Sequence, residues 1–472
     1  MFAMILGWFW LPRPIVSMAD DGEWTPPISL SSEVAGPSLR PNITYDSSGR
    51  LHVVWVESSY DDRGVADAVY YSSFDGTNWS FPVDVLVSPD QTRLTTGEFV
   101  TLVTDELALL WVGADELQLS VVNADDAQRA GAWHTTTLFP GLLVGDGFMA
   151  YLPPTTLYIV FSDVTGEEVR FTASSDLGNS WTEPLTVWKS PGGDFRASDP
   201  RLCTDGAGQF LHLVWHENAR ELNWDPNGIW YARSSDGGHK WSEPSFLSNR
   251  GSSPNCAYDG MGALHMLWNN AVGSPDGRYH RWSMDDGATW TAPAVVFPGL
   301  SGRTRMPVFG LDSEGELYVL TGASYEGETR MFVSHWQGDS WASPELISGN
   351  LPSNEGPDLV VTSGNKLNAV WHYGEEGLSE IWFATALTDA PTVPLGSELP
   401  PHIRPTPRPA ERPTSIAETV SSPGSPQQLP SIDTLQTKSN LTIPPVIVNF
   451  LVILGLLVVV VAWRITRWRR LR

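Results

Sequence analysis

Cysteine is nearly absent. The 472-residue chain has two, too few for a disulfide framework. Cys203 and Cys256 fall at differently phased positions of neighbouring repeats, so their side chains are expected on opposite strand faces, as two small buried residues, with a bridge as the alternative. Basic residues are scarce as well: 29 Lys and Arg stand against 54 Asp and Glu, a formal net charge of −25. A polyanion would be repelled, which excludes nucleic acid as the main partner. Zinc-ligand spacing, a phosphate-binding glycine loop and a Gly-x-Ser-x-Gly elbow are all missing, so no metal or cofactor is expected. The acidic pairs Asp61–Asp62 and Asp125–Asp126 read as solvated loop charge, not calcium ligands.

Uncharged runs long enough to cross a membrane are rare too. One, 446–463 ("VIVNFLVILGLLVVVVAW"), is followed by "RITRWRRLR". Its length suits a single transmembrane helix, and the arginines behind it (464–472) place that end in the cytoplasm. Residues 391–445 turn to Pro, Ser and Thr and read as an extended stalk. The segment 1–19 has a short apolar stretch and ends "VSMA", like a signal peptide, although it lacks a basic start. Whether it is cleaved stays open. The body is therefore expected outside the cell, on a stalk, anchored by one C-terminal helix.

What the chain has in plenty is Trp (22), Gly (42) and Pro (37), which suits an all-β protein with many turns. Residues 22–390 are repetitive. "PNITYDSSGRLHVVW" (41–55), "PRLCTDGAGQFLHLVW" (200–215) and "PNCAYDGMGALHMLW" (254–268) each read as two short strands around an Asp-x-x-Gly turn. A landmark on the second strand recurs at Trp55, Trp111, Phe161, Trp215, Trp268, Leu320 and Trp371, about every 50 residues, the period of one four-stranded propeller blade. The fourth strand usually opens with Trp-x-x-Pro. The last unit lacks that strand, and "WTPPISLSS" from Trp24 supplies the missing piece. The expectation is a β-propeller of seven blades, with six the alternative count, closed by the N-terminal strand.

Between third and fourth strands stands a repeated box, Ser-x-Asp-x-Gly-x-x-Trp: "SSDLGNSW" (Asp176, Gly178, Trp181), "SSDGGHKW" (Asp236, Gly238, Trp241) and "SMDDGATW" (Asp285, Gly287, Trp290). Asp and Ser can bond backbone in a tight turn, Gly takes positive φ, and Trp packs beneath. Worn copies, "SSFDGTNW" and "SHWQGDSW", replace the Asp by an aromatic. A group doing chemistry would not be repeated around a ring and exchanged so freely, so the box marks the fold and not the site.

These boxes resemble the Asp-box (bacterial neuraminidase) repeats of the sialidase superfamily, over the whole propeller. The resemblance implies a fold strongly and an activity weakly, since the superfamily holds sialidases, other glycan-active enzymes and propellers without known chemistry. With the boxes on one face, a site is expected on the other, built from second-to-third loops and blade-to-blade connections. There stand Arg40, Arg93, Arg196, Arg250, Arg303 and Arg305, near carboxylates and aromatics, a set suited to a sugar carboxylate. The resemblance implies Arg40, Arg220 and Arg305 as substrate-binding arginines, with Arg196 and Arg250 as further candidates. It implies Asp61 or Asp62 as the acid and Glu217 as the group activating a tyrosine. The connection into the last blade has no tyrosine, so Tyr325 or Tyr373 would have to serve. Two functions follow: an exo-sialidase-type glycosidase acting on carboxylated sugars, or a non-catalytic propeller binding a glycan or a protein partner.

Overall fold

The computed structural model describes residues 24–394, apart from 33, 35, 59–66, 89–93, 223–224, 271–276, 298–299, 301–305, 350, 352–353 and 376–377. The leader-like segment, most of the stalk, the apolar segment 446–463 and the basic tail lie outside the described residues. So do Asp61, Asp62, Arg93, Arg303 and Arg305.

The described residues form seven four-stranded antiparallel sheets, the blades of a propeller. Their second strands explain why the sequence reads as apolar runs with little alternation. Leu51–Glu57 is buried at every position, because a blade packs a neighbour against each of its faces. The landmark side chains Trp55, Phe161, Trp215 and Trp371 are fully buried, and Trp268 is 1% exposed.

The ring closes as the sequence implied. Ile28–Ser29 pairs with Phe383 and Trp382 as the outer strand of blade seven. The thread continues through Thr25 N to Thr385 O (2.9 Å) and Leu30 N to Ile381 O (2.7 Å). Ser31 Oγ and Thr25 Oγ1 accept from Ile381 N and Thr385 N.

The box turns are staples. In the first, Ser174 Oγ donates to Asp176 Oδ1 (2.7 Å) and accepts from Gly178 N (2.8 Å), while Asp176 Oδ1 accepts from Ser180 N (2.9 Å). Gly178 sits at φ +88°, where only glycine is free of strain. The same bonds recur around Asp236 and Asp285. Hydrogen bonding by Ser180 and Ser174 holds the Asp176 carboxyl down at about 2.

One expectation is corrected. Cys203 and Cys256 form a disulfide between blades four and five, Cα–Cα 5.8 Å. The phase difference was read rightly and its consequence wrongly. Side chains in the same phase point the same way around a ring, whereas opposite phases on successive blades point at each other. Cys203 lies opposite His212 and Cys256 opposite Met266, and both join the core cluster between those blades.

Candidate functional site

The seven first strands surround the axis. Six of them carry a register shift near the end that faces the blade-to-blade connections: Leu39/Asn42, Thr96/Glu98, Val144/Gly147, Ser198/Arg201, Ser252/Asn255 and Glu355/Asp358. A bulge adds one residue and re-aims its neighbours. In four blades that residue precedes a proline and lies in the left-handed region: Arg40 (φ 54°), Asp199 (φ 50°), Ser253 (φ 49°) and Gly356 (φ 57°). Three of these are not glycine, and the position before proline disfavours helical backbone further. Strain of this kind, repeated around one ring, marks a place where side-chain direction matters.

The bulges build a cavity of about 530 Å³, lined from all seven blades. Its charged residues are Arg40, Glu98, Asp146, Asp199, Arg201 and Asp358, each half-buried. Asp358 is the most firmly held. Its Oδ2 accepts from Ile43 N (2.8 Å) and its Oδ1 from Leu359 N (2.9 Å). Arg201 lies 4.8 Å over the Phe148 ring, a cation–π contact, and its Nη1 donates to Pro200 O (2.9 Å). His216 Nδ1 accepts from Ser253 N (3.4 Å), which ties the bulge of blade five to the second strand of blade four, and stands 3.5 Å from Asp199 Oδ2.

The electrostatics are uneven. Burial pushes the Glu98 carboxyl well up, the nearby Asp358 charge adds to this, and Arg201 opposes it. Burial also raises Asp358, to about 6, against the pull of the Ile43 and Leu359 amides, Asn42 and Arg201. Asp146 is raised by burial and by Asp199, with Arg201 and Arg40 opposing. Burial lowers His216, which stays neutral. The cavity thus brings together two carboxyls that burial raises, Glu98 well up and Asp358 to about 6, and general acid–base work draws on carboxyls perturbed in this way.

Of the residues singled out in the sequence, Arg40 lines this cavity. Arg196, Arg220 and Arg250 are exposed and not among the lining residues. Glu217 is 2% exposed and accepts from Asn227 Nδ2 (2.8 Å) and Trp230 Nε1 (2.9 Å). Tyr325 is exposed at a hairpin end, edge-on to Phe332, and Tyr373 stands edge-on to Trp382. Neither lines the cavity. The site draws on first strands more than on the loops the sequence favoured. Glu98, Asp146, Asp199, Arg201 and Asp358 were missed, though a signal existed: "RPN", "DPR", "SPN" and "GPD" recur at one repeat position (40–42, 199–201, 253–255, 356–358).

Comparison with known proteins bears on the fold. No protein-family model matches the chain, and no curated protein does. Solved structures do. A polysaccharide lyase of family PL25, an ulvan lyase bound to -[GlcA(1-4)Rha3S]-, aligns at TM-score 0.53 and 10% identity, over 78% of this chain and 95% of that one. A protein of unknown function from Dyadobacter fermentans aligns at TM-score 0.50 and 12% identity, over 77% and 98%. A Hadza microbial sialidase aligns at TM-score 0.42 and 16% identity, over 76% and 67%, a likeness too low to argue from. At such identities the comparisons establish a likeness of fold and nothing finer.

Proposed function

We propose that this chain is an exported, membrane-tethered, carbohydrate-active propeller, and that its axial cavity cleaves a glycosidic bond. One observation carries the reading: Glu98 and Asp358 line one cavity, both with carboxyls that burial raises. Cleavage of a glycoside requires a carboxylic acid to protonate the leaving oxygen and a carboxylate to activate water or attack. Glu98 takes the first role. Asp358, fixed by two backbone amides, takes the second. Arg40 and Arg201 supply charge for an acidic sugar, so the substrate class is a carboxylated glycan, with sialic-acid-like sugars as one member. The ulvan lyase that shares the fold was solved with a uronic acid saccharide, with which this substrate class agrees. Export and anchoring rest on the segments 1–19 and 446–472.

A second reading, binding without turnover, is favoured by Asp358 itself, whose two oxygens already accept backbone amides. A sialidase-type mechanism with a tyrosine nucleophile has less support, because neither Tyr325 nor Tyr373 lines the cavity.

The test uses the full chain in detergent, assayed on a fluorogenic sialoside and on uronic-acid polysaccharides. Turnover lost in Glu98→Gln and Asp358→Asn, with the melting temperature retained, supports the hydrolase. Saturable binding of an acidic saccharide without turnover, weakened in Arg201→Ala, supports the binding module. Turnover indifferent to all three substitutions places the chemistry elsewhere.

A further inference from the structure

A second cavity lies on the opposite, hairpin-turn face, between the outer parts of blades five and six, at the place where a packing rule is broken. In successive blades the tryptophan that follows the third-to-fourth strand turn packs on a third-strand side chain of the preceding blade. Trp79 meets Phe383 (5.0 Å), Trp133 meets Tyr71 (6.3 Å), Trp241 meets Phe171 (5.2 Å) and Trp290 meets Tyr231 (5.3 Å). At blade six the tryptophan is Trp341 and the partner is His280 (5.5 Å). His280 lies opposite Leu267, as Phe383 lies opposite Val370 and Tyr231 opposite Val214. A smaller, polar ring thus replaces a large one. The turn of blade six is also altered, with Trp336 where the full boxes have Asp, bridged to Trp341. A cavity of about 560 Å³ lies at this place.

Its walls are chemically particular. Trp282, Trp336 and Trp341 line it, with Trp336 edge-on to Trp282 (5.8 Å) and Trp341 (5.5 Å). His280 Nε2 meets His265 Nδ1 at 3.0 Å, and His265 Nε2 reaches Asp259 Oδ2 at 3.2 Å. This chain fixes the His280 ring in the cavity wall. The buried Nε1 of Trp341 has no protein acceptor, as at Trp241, the matching position of blade four, but at Trp341 the ring also lines the cavity. Asp339 and Ser340 edge the opening, and the lining holds no Lys or Arg.

An anion finds no cation here, and a purely apolar molecule would leave His280, Asp339 and the Trp341 N–H unmatched. A pyranose ring offers what fits: a C–H face to lie on indole and hydroxyls around its edge. We propose that this cavity is a second saccharide-binding site, for a neutral pyranose unit, separate from the axial cavity and independent of what that cavity does.

The test titrates the full chain in detergent with cellohexaose, laminarihexaose and mannohexaose, read by calorimetry. At least one probe is expected to bind, and Trp341→Ala is expected to weaken it tenfold or more. Because Trp341→Ala also removes packing, Asp339→Ala is the second variant: it changes an exposed side chain at the opening and leaves the buried walls intact. It should weaken binding with an unchanged melting temperature, while Glu98→Gln binds as wild type. The proposal is overturned if no probe binds, if both Trp341→Ala and Asp339→Ala bind normally, or if Glu98→Gln alone abolishes binding.

Discussion

The axial cavity is a matter of single protonation states. Glu98 and Asp358 are both raised on folding, so above about pH 4 the folded chain holds protons that the unfolded chain has released. That contribution weakens folding as pH rises, with Asp358 acting between its unfolded value and about 6. The buried histidines His212, His216 and His280 are lowered and pull the other way, gaining stability as pH rises toward about 6.5. The informative quantity is therefore a difference. The melting temperature of the double substitution Glu98→Gln, Asp358→Asn, taken relative to wild type, should rise from pH 4.5 to 8; a constant offset would contradict the shared burial. The box residues form the contrast. Asp285 accepts from Ser283 Oγ, Thr289 N and Thr289 Oγ1, all within one turn far from the axis. Asp285→Ala should cost about 1 kcal/mol in denaturant unfolding and leave any turnover or acidic-saccharide binding unchanged.

At the scale of the element, the first-strand bulge turns a repeated strand into a site. Hydrophobic alternation survives a bulge only on either side of it, which is why the strands were legible in sequence and the inward-pointing charges were not. Arg40 was found because a family motif pointed to it. Arg201 and Asp358, two residues after the strained position in their own blades, carry no such motif. The backbone at these bulges gives a direct prediction. Ser253 holds φ 49° before Pro254, a conformation that costs a non-glycine residue about 1–2 kcal/mol. Glycine would relieve this, less its larger loss of entropy on folding. Ser253→Gly should therefore stabilise by about 0.5–1 kcal/mol, and Gly356→Ala, at the matching position of blade seven, should destabilise by about 1 kcal/mol or more. Opposite signs from denaturant unfolding of the two variants would establish that the bulge is held against its local preference; equal signs would remove the argument from strain.

The whole molecule was the most legible level, because closure can be counted. A last unit short of one strand and a stray Trp-x-x-Pro strand at the start of the chain have one economical arrangement, and Trp24–Ser31 adopts it. The disulfide was illegible for the complementary reason: only the circular packing of blades makes opposite phases face each other. Both features join parts of the ring distant in sequence, and they should differ in what their loss does. Cys203→Ser opens a loop spanning 53 residues within an otherwise closed ring, worth about 4 kcal/mol on chain-entropy grounds, and should leave a monomer. Deleting 24–33 removes the outer strand of blade seven and bares the edge of Leu378–Leu387, whose amides then seek another strand. That variant should lose several kcal/mol, roughly 3–5, and form concentration-dependent oligomers in size-exclusion chromatography. A peptide of residues 22–33 added in excess should return it to the monomer by filling the edge. A truncated chain that stays monomeric and as stable as the parent would mean that the ring is held by blade-to-blade packing alone, with the closing strand no more than a cover.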